Sequence, residues 1–127
     1  MFTNDDLIAF CRELIRIPSF SGRERDVAER IARRMREFGF DEVVIDKYGS
    51  VLGTIRGSRP GNTILMDGHI DHVDVIDAPQ WQHDPFGAEI ADGKIYGRGT
   101  SDMKGSDSAI IMAAARFAEQ TKKDFAG

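Results

Sequence analysis

The chain has 127 residues, of which 41% are hydrophobic and 30% are charged, and its formal net charge is −4. This balance is typical of an ordinary globular domain and excludes the collagen-like, disordered and disulfide-stapled classes. No apolar run approaches the roughly 20 residues of a membrane helix, so no membrane partner is expected. An acidic N-terminus without an export signal and a single cysteine, Cys11, predict a cytoplasmic protein.

The first forty residues predict two amphipathic helices. Apolar residues recur at helical spacing over residues 7–15, and a second apolar face runs over residues 27–35. Ser21 stands three positions before Glu24, which is the spacing of a capping box at the start of the second helix.

The remainder of the chain predicts short strands and a closing helix. We expect strands at residues 43–45, 51–55 and 63–66, a polar loop over 74–85, a hairpin with strands at 88–90 and 94–96, and a helix over 109–117. The segment at 63–66 is apolar throughout, which predicts a strand that is buried on both faces. Helices, strands and a returning helix indicate an α/β protein whose 127 residues form one domain or part of one.

Charge is distributed unevenly in the middle of the chain. Residues 60–93 contain no Lys or Arg, although they contain seven acidic residues and all three histidines. Such a segment is unsuited to nucleic acid, whose phosphates require Lys and Arg. Carboxylate and imidazole groups also bind divalent metal ions, so composition alone fits either a metal site or a solvated acidic loop.

The first candidate motif contains His69 and Asp71. The two residues are two positions apart, and side chains that alternate along a strand place both on one face. Asp71 could then be a second metal ligand or the outer partner that orients His69. His72 has the opposite parity and is expected to face away, so we assign it no ligand role.

The second candidate motif ends in Asp102, which follows Gly97 and Gly99 and precedes the last predicted helix. Asp102 could cap that helix, or it could project into a cleft at the edge of the sheet. The motif lacks both the third glycine of a dinucleotide fingerprint and the Gly-Lys-Ser/Thr ending of a P-loop, which disfavours a phosphate site.

Taken together, the two motifs resemble a metallohydrolase family. The segments that carry the resemblance are Gly68–Asp71, Trp81 with Asp84–Phe86, Asp92–Gly99 and Asp102–Gly105. The family is that of acetylornithine deacetylase, succinyl-diaminopimelate desuccinylase, aminoacylase and glutamate carboxypeptidase. The resemblance implies that residues 1–127 are the N-terminal part of a zinc-peptidase-like α/β catalytic domain. That domain has a mixed sheet flanked by helices, and its smaller lid domain is expected to be absent from this chain.

The resemblance also implies a role for each candidate residue. His69 corresponds to a terminal ligand of one ion in a two-metal site, and Asp102 corresponds to the carboxylate that bridges both ions. Asp71 corresponds to the catalytic-site acid that orients His69. The peptide bond between Asp102 and Met103 is expected to be cis. Zinc is the expected divalent metal, with cobalt and manganese as alternatives.

The function implied is metal-dependent hydrolysis of an amide bond in an N-acyl amino acid or a short peptide. A homodimer is one assembly that the resemblance allows for the parent protein. The family's general base is a Glu in a Glu-Glu pair, and no such pair follows Asp102. The chain alone is therefore expected to bind metal weakly, to be inactive and to expose an apolar face. The alternative is a non-catalytic metal-binding or interaction protein on the same scaffold.

Overall fold

The computed structural model describes residues 1–76 and 78–127; Asp77, which falls in the predicted loop 74–85, lies outside the described residues. Three helices and two strand pairs follow in chain order: α1 (Asn4–Ile15), α2 (Arg25–Glu37), β1 (Glu42–Ile45), β2 (Val51–Thr54), β3 (Glu89–Ala91), β4 (Lys94–Tyr96) and α3 (Gly105–Thr121). A short 3-10 turn covers Ala78–Gln80, and an irregular turn over Thr100–Lys104 leads into α3. None of the helices within the described ranges has the length and apolar character needed to cross a membrane.

The two N-terminal helices begin in different ways. Thr3 caps α1 reciprocally: its hydroxyl accepts from the Asp6 backbone N–H at 3.2 Å, and the Asp6 carboxylate accepts from the Thr3 N–H at 2.7 Å. The capping box predicted for α2 is wrong. Glu24 itself precedes the helix, its carboxylate accepts from the Gly22 N–H at 2.6 Å, and Ser21 is bonded elsewhere.

The three helices form the main hydrophobic core. Phe10 and Leu14 of α1 are fully buried between α2 and α3, and the Phe10 ring meets the Phe38 ring edge to face at 5.3 Å. The other buried apolar members of this cluster come from α2 and α3: Val27, Ile31, Met35, Ile111, Met112 and Ala115. The apolar faces predicted for α1 and α2 are therefore faces that the fold buries. In α3 the sequence predicts an inner face of Ile110, Ala113, Ala114 and Phe117, and this prediction is wrong. The neighbouring face with Ile111, Met112 and Ala115 is buried instead, and Phe117 is 51% exposed.

The predicted strands near residues 43–45 and 51–55 pair with each other, and the predicted hairpin at residues 88–96 is present. In the first pair, β1 runs antiparallel to β2, and Val44 lies opposite Leu52. In the second, β3 and β4 are joined by Asp92 and Gly93, whose φ angles of 50° and 71° suit the tight turn of a two-residue hairpin. The β1–β2 pair packs against α2, whereas Ile95 of β4 packs against Cys11 and Ile15 of α1.

The buried strand predicted at residues 63–66 is not formed. This segment has no regular secondary structure, and the side chains of Ile64 and Leu65 are 83% and 86% exposed. The strands of the described residues form two separate antiparallel pairs, supplemented by single parallel bridges from Phe20 to His72 and from Arg59 to Ala126. In the described part of the chain no strand pairs with residues 63–66, so the expected mixed sheet is discontinuous here.

Candidate metal centre

His69 lies between two carboxylates at the centre of the site. Its Nδ1 is 3.0 Å from Asp71 Oδ1, and its Nε2 is 2.7 Å from Asp102 Oδ1. All three sequence-predicted site residues are therefore brought together, with Asp71 and Asp102 on opposite sides of one imidazole. The contact between His69 and Asp71 agrees with their predicted placement on one face, although their segment is not a regular strand.

The backbone around His69 fits closely against the start of α3. The His69 N–H points to the sulfur of Met103 at 3.3 Å. A Cβ atom at Gly68 would collide with the Asp107 carboxylate and with the end of the Met103 side chain. Glycine at position 68 therefore lets the segment with His69 approach the start of α3 closely, and a larger residue would have to displace the ends of the Asp107 and Met103 side chains.

Asp102 belongs to the irregular turn before α3 rather than to the helix. Its φ and ψ angles are −135° and 91°, and the residue that directly precedes α3 is Lys104, so Asp102 does not occupy the cap position. The peptide bond from Asp102 to Met103 is cis, as the family resemblance implies. The Asp102 side chain is 85% exposed and borders a cleft of about 220 Å³ that also involves His72, Val73 and residues 97–101. Of the two readings of Asp102 left open by the sequence, the structure supports the cleft.

The electrostatics of the site favour a proton on His69. The hydrogen bond to Asp102, reinforced by that to Asp71, raises the pKa of His69 above its ordinary value. The hydrogen bond from the Ser21 hydroxyl lowers the pKa of Asp71, and the hydrogen bond from His69 lowers it further. The imidazole is thus flanked by acceptors at both nitrogens, an arrangement that attracts a cation.

His72 faces away from this array, as its parity predicts. The ring is buried, its Nε2 accepts from the Ser19 N–H at 2.8 Å, and its Nδ1 lies 2.8 Å from the Val73 carbonyl oxygen. The rings of Phe20 and Phe86 lie beside it, with centroids 4.8 and 5.5 Å from that of the imidazole. His72 is a structural residue that joins the segment before α2 to the segment that carries His69.

Two buried charged residues next to the site were not predicted from the sequence. Lys104 is fully buried, and its Nζ donates to the Ile17 carbonyl at 2.7 Å. Burial lowers the pKa of Lys104 to about 8 and raises the pKa of Asp107 to about 6. Their sequence neighbourhood is polar and glycine-containing, so no hydrophobic pattern marks either residue as buried.

Ser21 is the third residue that sequence reasoning missed. Its hydroxyl donates to Asp71 Oδ2, the carboxylate oxygen that does not contact His69. The capping-box spacing drew attention to Ser21 for a different reason. Only its position in the folded chain reveals the contact with Asp71, which is 50 residues away in the sequence.

The donor set suits a divalent metal but is incomplete. Imidazole and carboxylate are ordinary ligands of zinc and related ions, and Asp71 holds the second nitrogen of His69 as an orienting acid does. Among residues 1–76 and 78–127, no group of three or more His, Cys, Asp or Glu side chains is arranged to hold a metal ion. His69 and Asp102 therefore fit as two ligands of a site whose remaining ligands these residues do not supply.

Comparison with known proteins agrees with this geometry. Residues 65–126, which include both halves of the site, match the model of peptidase family M20/M25/M40. The predicted family resemblance is confirmed. A succinyl-diaminopimelate desuccinylase from Cereibacter sphaeroides is 39% identical over 121 residues, which cover 94% of this chain and 32% of that enzyme. The chain thus spans about a third of the length of this relative.

Two solved structures share the fold. An M20 family metallo-carboxypeptidase from Sulfolobus solfataricus superposes with a TM-score of 0.78 at 22% identity, over 92% of this chain and 28% of that one. Human carnosine dipeptidase 1 superposes with a TM-score of 0.73 at 24% identity, over 91% of this chain and 29% of that one. The chain shares the fold of the matched part of each of these two structures, which confirms the predicted α/β class.

Proposed function

We propose that this chain forms the metal-binding beginning of a metal-dependent hydrolase that cleaves the amide bond of an N-acyl amino acid or a short peptide. The observation that carries the proposal is the array Asp71–His69–Asp102, in which one imidazole is held between two carboxylates. The 39% identity to a desuccinylase supports hydrolysis of an acyl–amino acid bond. The full activity requires ligands and a general base beyond those that we assign here.

Each residue of the array has a distinct task in this proposal. His69 would bind one ion through Nε2, and the exposed carboxylate of Asp102 would serve as a ligand shared by two ions. Asp71 accepts the Nδ1 proton and so fixes which nitrogen of His69 is free to bind metal. Two divalent ions, with zinc preferred, would supply the acidity that activates a water molecule and the positive charge that polarises an amide carbonyl.

The hydrogen bonds of His69 predict a proton exchange on metal binding. Without metal, contacts of both ring nitrogens with carboxylate oxygens favour the imidazolium, which is why the pKa of His69 is raised. A metal ion on Nε2 requires the neutral ring, so the Nε2 proton must leave. Zinc binding near neutral pH should release up to about one proton per chain from His69.

Calorimetric titration with zinc tests the array. We expect weak binding by the 127-residue chain, abolished by His69→Asn and by Asp102→Asn. Asp71→Asn should weaken binding by about 10–100-fold, because His69 then loses its orienting acceptor. Repeating the titration in buffers with different ionisation enthalpies measures the released proton.

His83→Asn provides the matched control. This histidine contacts Glu89 at 2.9 Å and stacks on Tyr96, so its loss should leave zinc affinity unchanged. Equal loss of binding in the His83 and His69 variants, or zinc binding that survives His69→Asn, would contradict the proposed site.

The remaining features of the proposal concern the whole protein. We propose a cytoplasmic enzyme that binds neither nucleic acid nor membranes, with a homodimer as one candidate assembly. The isolated chain should not turn over N-acyl amino acids with added zinc or cobalt, and turnover by this chain alone would refute its inactivity. A coding sequence with a Glu-Glu pair and a later ligand histidine downstream of Gly127 supports the enzyme, whereas one without them supports a non-catalytic metal-binding protein.

A further inference from the structure

We propose that Ser21 is a positioning residue of the metal centre, acting through Asp71 to set the orientation and tautomer of His69. This inference deepens the proposed function and depends on His69 serving there as a ligand. The relay runs from the Ser21 hydroxyl to Asp71 Oδ2, and from Asp71 Oδ1 to His69 Nδ1 at 3.0 Å. It ends at Nε2, the nitrogen that faces Asp102.

The two carboxylate oxygens of Asp71 have separate partners. Rotation of this carboxylate about its terminal bond would break both hydrogen bonds, so the contact with Ser21 opposes any rotation that releases His69. In the neutral ring, Asp71 at Nδ1 and Asp102 at Nε2 compete for the single proton. The contact with Asp71 favours a proton on Nδ1, and a ring with its proton there has Nε2 free for metal. Removal of the Ser21 hydroxyl frees one oxygen and allows the carboxylate to turn towards solvent.

The turn that carries Ser21 is fixed to the site by Ser19, the residue that precedes the turn. Ser19 accepts from the His72 N–H at 2.9 Å, and its own N–H donates to His72 Nε2 at 2.8 Å. The Ser19 hydroxyl donates to the Ile70 carbonyl at 2.7 Å. Because these three bonds reach the residues on either side of Asp71, they hold Ser21 in register with Asp71.

A tight turn then directs Ser21 away from the helix that follows. The Arg23 N–H donates to the Phe20 carbonyl at 2.7 Å, and Gly22 has a φ of +83°, which favours glycine. This geometry explains why Ser21 does not cap α2. The local sequence spacing fits a cap, but the anchored turn presents the hydroxyl to Asp71 instead.

The test compares Ser21→Ala with Ser21→Thr, which keeps a hydroxyl, and with Ser50→Ala, which alters an exposed serine of the β1–β2 turn. Nitrogen-15 NMR of the metal-free chain, at a pH where His69 is neutral, measures the share of the Nδ1–H tautomer. The His69 signals are identified by their loss in His69→Asn. Calorimetry with zinc measures affinity in the same four proteins, counting the unmodified chain.

We expect Ser21→Ala to lower the Nδ1–H share of His69 and to weaken zinc binding about three- to tenfold, which is less than the loss of a residue bonded directly to a ligand causes. Ser21→Thr should restore both quantities, and Ser50→Ala should change neither. An unchanged His69 tautomer in a folded Ser21→Ala variant would overturn the proposal. The tautomer is measured without metal, so the two results can fail separately. If zinc binds none of the four proteins, the proposed function is contradicted, while the effect of Ser21 on the His69 tautomer is still decided by NMR.

Discussion

The helical core and the segment at residues 63–66 are similar in sequence character but opposite in environment. Phe10 and Leu14 of the core are completely buried, whereas Ile64 and Leu65 are more than four-fifths exposed. A helix forms its own backbone hydrogen bonds and needs only a neighbouring surface for its apolar face. A strand also needs a neighbouring strand for its backbone hydrogen bonds. Apolar residues are therefore buried in the helical core, whereas those of residues 63–66 are exposed to solvent.

The largest effect that tests this contrast is expected from truncation of the core. Phe10→Ala should lower the free energy of unfolding by about 3–5 kcal/mol, since it leaves a cavity among α1, α2 and Phe38. Ile64→Ala should change it by less than about 0.5 kcal/mol, because that side chain is exposed. Urea denaturation followed by circular dichroism measures both, and similar losses would show that residues 63–66 are packed in solution.

A smaller effect on the free energy of unfolding is expected at Asp107, where the start of α3 packs against the segment that carries Gly68 and His69. This carboxyl is 7% exposed, and within the described residues no donor reaches its Oδ2. Burial raises the pKa of Asp107 to about 6 from 3.8, so the folded protein retains a proton that the unfolded chain releases. The contribution of Asp107 to the free energy of unfolding is therefore at its full value below about pH 4. It decreases between pH 4 and pH 6, and it is absent above about pH 6.

Asp107→Asn should remove this loss and stabilise the chain at pH 7 by up to about 2–3 kcal/mol relative to the ionised form. Urea denaturation at several pH values should show the gain growing from pH 4 to pH 6 and then levelling. Asp26→Asn, which alters an exposed carboxylate of α2, should show no such growth. A gain that is the same at every pH would mean that Asp107 does not titrate in this range.

The smallest effect on stability is expected at residue 65, where a substitution should instead change the self-association of the chain. Leu65→Lys adds charge to an exposed apolar segment, so the free energy of unfolding should change by less than about 0.5 kcal/mol. Self-association of the chain should weaken, because exposed apolar segments without backbone partners favour pairing with other chains. Sedimentation velocity at several concentrations measures this, with Lys47→Glu as a charge control; a strictly monomeric unmodified chain would contradict the expectation.

The comparison also explains which parts of the site were predictable. His69, Asp71 and Asp102 were identified from residue type, from spacing and from a family resemblance, and all three meet in the structure. Ser21 and Asp107 were not identified, since their surroundings come from distant parts of the chain: Ser21 contacts Asp71, and Asp107 packs against Gly68. A serine before a helix and an aspartate in its first turn have common local explanations, and nothing in the neighbouring residues distinguishes those from a role at the site.

The sequence by itself determined the three helices, four of the five predicted strands and the ligand candidates, because helical periodicity, turn residues and short motifs are local properties of the chain. Tertiary structure alone decided that residues 63–66 are exposed, that Ser21 serves Asp71 rather than α2, and that Lys104 and Asp107 are buried. Each of these outcomes depends on which distant segment lies alongside. Burial and hydrogen bonding are set by that neighbour, and residue type alone does not name it.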